Sequence, residues 1–195
     1  MLFRSTSTVV RHPDWGFLVV SRTGYTGEHG YEIVCPREAA VSMWQAMLEQ
    51  GALPCGLGAR DTLRHEAGMP LYGHEIDEST NPLEAGLDWA VKFNHDFVGK
   101  AALERVQAAG GTGRKLVGLT SDSKRCPRQG YPIVHGSTQI GQVCSGSISP
   151  TLNTNIATAY VRNEFAAPGT KLEFVVRDKA EPCTVVPMPF YKRAR

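Results

Sequence analysis

Apolar and β-branched residues first gather at Gly16-Phe17-Leu18-Val19-Val20, a run too short for a helix and built from types that favour extended backbone. The stretch from Thr23 to Gly30 then places three glycines in eight residues, and Tyr31-Glu32-Ile33-Val34-Cys35 resumes extended character. The pattern predicts strand, glycine-rich connection, strand. From Pro36 to about Gln50 the period changes: Ala40, Met43 or Trp44, and Met47 or Leu48 recur at helical spacing, with Pro36 suited to a first turn and Gly51 to a stop. A second helix is predicted from about Leu57 to Ala67, its apolar positions Ala59, Leu63 and Ala67 spaced by four. Arg60, Arg64, His65 and Glu66 fall on its other faces, and Gly68 and Pro70 end it.

The stretch from Met69 to Pro82 reads as irregular, and Phe97 to Val106 as one more short helix. Gln107 to Gly113 is the best linker candidate, because it joins small residues to three glycines. Beyond it, Leu116–Leu119, Ile140–Cys144, Ile156–Val161, Leu172–Val176 and Cys183–Val186 are short extended segments separated by Gly and Pro turns. That is the pattern of a small antiparallel barrel or sandwich. The fold class is therefore α+β, with an α/β domain over residues 1–108 followed by a small antiparallel β-barrel over residues 114–195.

Composition narrows the function classes. The chain has 195 residues, 42% apolar and 21% charged, with 20 Gly and 12 Pro, which suits a soluble, turn-rich protein rather than a helical bundle. Its net charge of +2 and its short basic clusters, Lys124-Arg125 with Arg128 and Lys192-Arg193 with Arg195, give no stripe of the kind nucleic-acid binding needs. No apolar run is long enough for a membrane helix, and Met1 to Thr6 leads into no signal-peptide core. Cys35, Cys55, Cys126, Cys144 and Cys183 are scattered without zinc-like spacing, so no metal site is expected and small buried hydrophobes in a reducing, cytoplasmic setting are. Dinucleotide and phosphate-loop fingerprints and the nucleophile elbow are all absent. His74 and Asp77 stand three apart, which alone makes no acid–base pair.

A few residues could carry ligand chemistry. Glu32 lies inside a predicted strand and shares a face with Val34; on a covered face its carboxylate needs donors such as two adjacent N–H groups of a ligand, and on an open face it needs none. Glu28, in the glycine-rich connection, reads as local structure. Arg60 could grip a ligand carboxylate with two parallel hydrogen bonds or pair with a protein carboxylate, and Asp61 beside it suits a helix start. Trp89 offers a flat face for an aromatic ligand, or a core side chain.

Ordered motifs then add a resemblance. Ser21-Arg22-Thr23-Gly24-Tyr25-Thr26-Gly27-Glu28-His29-Gly30-Tyr31-Glu32-Ile33 resembles the signature of the aminomethyltransferase family, the T-protein of the glycine cleavage system. Gly58 to Gly68, Leu71-Tyr72-Gly73-His74-Glu75-Ile76, Phe97-Val98-Gly99-Lys100, Ser149-Pro150 with Asn155-Ile156-Ala157, and Pro189-Phe190-Tyr191-Lys192 follow in that family's order, so the similarity spans nearly the whole chain.

The resemblance implies transfer of a one-carbon unit from an aminomethyl group on the lipoyl arm of a carrier protein, the H-protein, to tetrahydrofolate, with release of ammonia. It implies that Glu32 binds the pterin of a reduced folate, that Tyr25 and Trp89 pack around its aromatic portion, and that Arg60 serves its polar, glutamyl side. It further implies a partial family fold. On this reading the chain is the C-terminal part, with the N-terminal region and its catalytic aspartate absent and no catalytic residue here. A separately encoded N-terminal half is then an expected partner. A non-catalytic folate-binding protein and a folate-dependent demethylase are the alternative functions on the same resemblance.

Overall fold

The computed structural model describes residues 6–193; the segment Met1–Ser5, on which most of the no-leader expectation falls, and the terminal Arg195 of the second basic cluster lie outside them. The architecture is the expected α+β arrangement, an α/β region followed by a closed antiparallel barrel. The chain packs as two compact units, one drawn from residues up to Arg64 together with Arg193, the other from His65–Lys192.

The first unit is built on a three-stranded antiparallel sheet in the order β1 (Thr6–His12), β2 (Gly16–Arg22), β3 (Glu32–Val34). Strand β1 has no apolar run of its own, which is why the sequence pattern does not reveal it; it exists as the hairpin partner of β2, joined through Pro13-Asp14-Trp15, with Val9 opposite Val19 and Val10 opposite Leu18. A short 3-10 turn (Arg37–Ala39) leads into α1 (Ala40–Glu49), and α2 (Leu57–Glu66) follows. Among the described residues, Leu18, Ala39 and Met43 are the buried apolar residues of this unit, while Trp44, Met47 and Leu48 of the predicted apolar stripe are exposed.

Helix α2 turns the expected pattern around. Leu63 is 38% exposed, whereas Arg64, His65 and Glu66 are almost fully buried. Buried charge requires partners, and these residues have them: Arg64 Nε donates to Asp61 Oδ1 at 2.7 Å one turn back, His65 Nδ1 lies 2.8 Å from Ser147 Oγ, and Glu66 accepts from the Ser149 hydroxyl and from Thr151 N and Oγ1 at 3.2 and 2.7 Å. Polarity alone predicts the wrong face because the partners of His65 and Glu66 are distant in sequence. The helix ends as expected at Gly68, whose φ of +67° is left-handed and whose missing Cβ admits Pro189.

In the second unit, α3 (Lys100–Ala108) starts three residues later than its apolar pattern suggests, because Gly99 adopts φ +95° immediately before it. The barrel consists of β4 (Arg114–Ser121), β5 (Pro132–His135), β6 (Thr138–Ser149), β7 (Thr154–Arg162), β8 (Lys171–Val176) and β9 (Lys179–Val186), closed in the order β4-β7-β6-β5-β8-β9. Closure leaves no free edge. Val117, Leu119, Ile133, Val143, Ala157, Ala159, Val161, Phe174 and Val185 pack together inside it.

Strand β7 is buried on both faces, from Asn155 through Val161. Alternation sends Ala157, Ala159 and Val161 into the barrel core and Thr158 and Tyr160 to the opposite face. That outer face lies beneath the irregular stretch after α2. Thr158 donates its hydroxyl to the Glu75 carboxylate, Tyr160 Oη donates to the Glu75 carbonyl at 2.8 Å, and Leu71 N donates to Glu75 Oε2 at 2.9 Å. A bulge in β6 at Cys144 helps to make the fit: the Cys144 carbonyl faces His74 Nδ1 at 3.1 Å, and Ser145 Oγ lies 3.2 Å from the same nitrogen. The five cysteines are unpaired. Among the described residues no helix is long and apolar enough to cross a membrane, and no cluster of three potential metal ligands occurs.

Two outcomes follow from this packing. Thr158→Val removes one donor from the buried Glu75 carboxylate and is expected to destabilise the barrel by about 1–3 kcal/mol in urea unfolding; an unchanged midpoint would show that Thr158 is not needed to stabilise that carboxylate. Burial, reinforced at Cys144 by the Glu75 charge, pushes the Cys144 thiol up to about 12, and burial pushes Cys183 up to about 12 as well. The unfolded thiols ionise near 9, so their contribution is fully present below that pH and is lost as pH rises towards 12. The slope is about 1.4 kcal/mol per pH unit for each thiol. The double variant Cys144→Ala with Cys183→Ala should lose stability more slowly above pH 9; an equal slope would refute the assignment.

Candidate functional site

The four residues singled out from sequence fall on different elements. Tyr25 sits in the glycine-rich connection between β2 and β3, and Arg60 in the first turn of α2; the fold brings them together, with the guanidinium carbon 4.7 Å from the Tyr25 ring centroid. A cation over an aromatic face holds a long side chain in place while leaving its N–H edge free to bind. Asp61, next in sequence, is taken by Arg64 rather than by Arg60. The alternative in which Arg60 pairs with a protein carboxylate is therefore not what forms among the described residues.

Glu32 opens β3. Cross-strand register places it opposite Ser21, which is itself opposite Ser7, and the two serine hydroxyls lie 2.8 Å apart. The same sheet face carries Val9, Val19 and Val34 in one row and Phe17 beyond it. This face is open: Val9 and Phe17 are each 66% exposed and Val34 67%. Glu32 is exposed too, and its carboxylate forms no hydrogen bond or ion pair among the described residues. Glu28 behaves as local structure: its N–H reaches Thr26 Oγ1 at 3.3 Å, and its carboxylate lies 3.8 Å from Arg193 Nε.

Trp89 belongs to the second unit, in a 3-10 turn (Asp88–Ala90), and is 56% exposed rather than a core side chain. His74 and Asp77 serve structure: His74 faces β6, and Asp77 accepts from Ser79 and Thr80, hydrogen bonds that hold its carboxyl below the usual range. A groove of ≈ 1070 Å³ lies on the barrel, lined by Lys124, Arg125, His135, Lys171, Lys179 and Glu181 among others, and none of the four candidates borders it.

What sequence reasoning missed is a set of buried carboxylates, Glu66, Glu75 and Glu84, nine residues apart and each nearly inaccessible. Glu84 receives Arg114 Nε at 2.9 Å and Nη2 at 3.4 Å. For Glu75 and Glu84 the one signal available was acidic residues in a stretch with no helical period, and for Glu66, at the end of α2, there was none; barrel residues far along the chain partner all three.

Comparison with known proteins clarifies the assignment. The profile of the GCVT N-terminal domain matches residues 11–95, and that of the glycine cleavage T-protein C-terminal barrel domain matches residues 114–192. The chain is 53% identical over 181 residues to the aminomethyltransferase of Symbiobacterium thermophilum, covering 90% of this chain and 48% of that protein, and 50% identical to that of a Geobacillus strain, covering 91% and 50%. Its structure superposes on the crystal structure of glycine cleavage system aminomethyltransferase T from Bartonella henselae with a TM-score of 0.85 at 32% identity, over 90% of this chain and 50% of that one. The chain thus spans about half the length of the curated relatives it matches.

These matches correct one expectation. The chain was expected to resemble only the C-terminal part of the family, to lack the N-terminal region, and so to be a C-terminal fragment or a split subunit with a separately encoded N-terminal half. The N-terminal domain profile instead begins at residue 11, inside β1, and runs through the signature, both helices of the first unit and the Trp89 turn. The reading failed because it took the α/β region for a second, later region of the family fold, whereas residues 11–95 match the N-terminal domain profile itself. With sequence of both domains in one chain, joined in the family's order, this protein belongs to the glycine cleavage T-protein family of aminomethyltransferases.

Proposed function

We propose that this protein acts in glycine cleavage as an aminomethyltransferase, moving a one-carbon unit from the aminomethyl-lipoyl arm of the H-protein to tetrahydrofolate with release of ammonia. The observation that carries the reading is the Glu32 carboxylate, left without a protein partner on an open strand face in the unit that also holds the Tyr25–Arg60 pair. A carboxylate in a strand has two acceptor oxygens set by a rigid backbone. It matches the adjacent N–H donors of a pterin edge, and such charge-assisted bonds are the strong ones.

Arg60 complements it. Anchored by the Tyr25 ring, its guanidinium fork suits the carboxylates of the glutamyl side of a reduced folate. Tyr25 presents an aromatic surface to the ligand, and Trp89 supplies another exposed flat face suited to its aromatic portion. The chemistry expected of these residues is binding and orientation, which raises the effective concentration of the reacting groups. The five unpaired cysteines support a reducing compartment, and we place the protein in the cytoplasm on that ground.

Glu32→Gln keeps the size of the side chain and removes its charge. It is expected to weaken tetrahydrofolate binding about tenfold or more, the scale of one charge-assisted contact, in anaerobic calorimetric titration of the full chain. Arg60→Ala should weaken the pentaglutamyl form more than the folate stripped of its glutamates. Unchanged affinity in Glu32→Gln would remove the pterin role from Glu32.

A further inference from the structure

We propose that Arg114, at the start of β4, is a positioning residue for Trp89 and acts through Glu84. The inference rests on the ligand-facing reading of Trp89 given above and adds a residue that does not touch the ligand.

The linkage is continuous. Arg114 holds Glu84 with both prongs of its fork, at 2.9 and 3.4 Å, and lies over the Tyr160 ring at 4.4 Å. The Glu84 side chain is only 7% exposed, while that of Arg114 is 47% exposed, so the arginine reaches in from the barrel surface to a buried carboxylate. The Glu84 backbone is fixed to the same strand, since Leu116 N donates to the Glu84 carbonyl at 3.0 Å. Glu84 Oε1 also accepts from Asn81 N at 3.1 Å, and Asn81 Oδ1 accepts from Leu83 N and Glu84 N at 2.9 and 3.1 Å.

From this root a run of turns leads to Trp89. Ala85 N donates to the Asn81 carbonyl at 3.3 Å, Leu87 N to Pro82 at 2.8 Å, Ala90 N to Leu87 at 2.9 Å and Val91 N to Asp88 at 3.0 Å. Trp89 stands at the far end with its ring exposed, and no hydrogen bond or ring contact of its own holds it among the described residues. An exposed indole held by no hydrogen bond or ring contact depends on its backbone for orientation, and the hydrogen bonds of that backbone lead back to Glu84. A buried carboxylate deprived of its counter-charge is strongly disfavoured, so loss of Arg114 should release the turn rather than leave Glu84 in place.

The test uses the full chain labelled with 5-fluorotryptophan, which gives one fluorine resonance for each of the three tryptophans, Trp15, Trp44 and Trp89. In Arg114→Ala the Trp89 resonance is expected to shift and broaden while those of Trp15 and Trp44 stay in place. Tetrahydrofolate affinity should fall about tenfold, the scale of one lost oriented contact. Arg114→Lys keeps the charge without the fork and should give an intermediate Trp89 shift in a barrel that remains folded. It carries the test should the alanine variant unfold. A Trp89 resonance identical to wild type in Arg114→Lys and in a folded Arg114→Ala, or equal shifts of all three resonances, overturns the proposal. Trp89→Ala separates the two readings: unchanged folate affinity in that variant removes Trp89 from the ligand, whereas the fluorine spectra of the Arg114 variants still decide whether Arg114 positions it.

Discussion

The second unit depends on the burial of carboxylates against β7. A six-stranded barrel can fill its interior with Val, Ile, Leu and Phe and leave its outer face to water, but here the outer side of β7 carries Thr158 and Tyr160 and is covered. What covers it is chain without regular structure, whose backbone groups must find partners outside any helix or sheet ladder. Glu75 meets that need in both directions: its carbonyl accepts from Tyr160, and its carboxylate accepts from Thr158 and from Leu71 N. Two of these bonds join Glu75 to residues near position 160, and the third, from Leu71 N, ties it to its own segment. The irregular segment is therefore specified by the barrel and has little reason to hold its form without it.

The same constraint explains the ionisation behaviour of the neighbourhood. Cys144 and Tyr160 share the dry layer between strand and segment, and burial pushes both groups towards their neutral forms. Arg114, at the border of that layer, is held more firmly charged because Glu84 accepts its hydrogen bonds. Neutral donors thus lie beneath the segment, and the one ion pair of Glu84 sits where water still reaches the cation. This arrangement limits the desolvation cost that a fully buried pair would carry.

Legibility in the sequence followed the range of the interaction involved. Helix stops at Gly51 and Gly68 and the strands of the barrel interior were readable, because a turn or an alternating pattern is written in consecutive residues. Strand β1 was not, since Thr6-Ser7-Thr8-Val9-Val10 becomes a strand only opposite β2. Nor was the burial of His65 and Glu66, which polarity assigns to solvent and which Ser147, Ser149 and Thr151 make possible more than eighty residues away. The strand setting of Glu32 was visible as a period of two. The contact between Tyr25 and Arg60 was not, although each had been singled out by the family motifs.

The two units hold their candidate groups in different ways. In the first, Glu32 is fixed by a strand and Arg60 by a helix and an aromatic ring, so short-range regular structure orients them. In the second, Trp89 stands on a ladder of turns rooted in one residue, Glu84, through its buried carboxylate and its carbonyl. Regular elements tolerate the loss of one contact because their backbone hydrogen bonds repeat; a turn ladder rooted in one residue has fewer to spare. It follows that substitutions far from any ligand should act on the Trp89 side of the molecule more than on the Glu32 side, and that β4 of the barrel, at Arg114, is where that sensitivity should be concentrated.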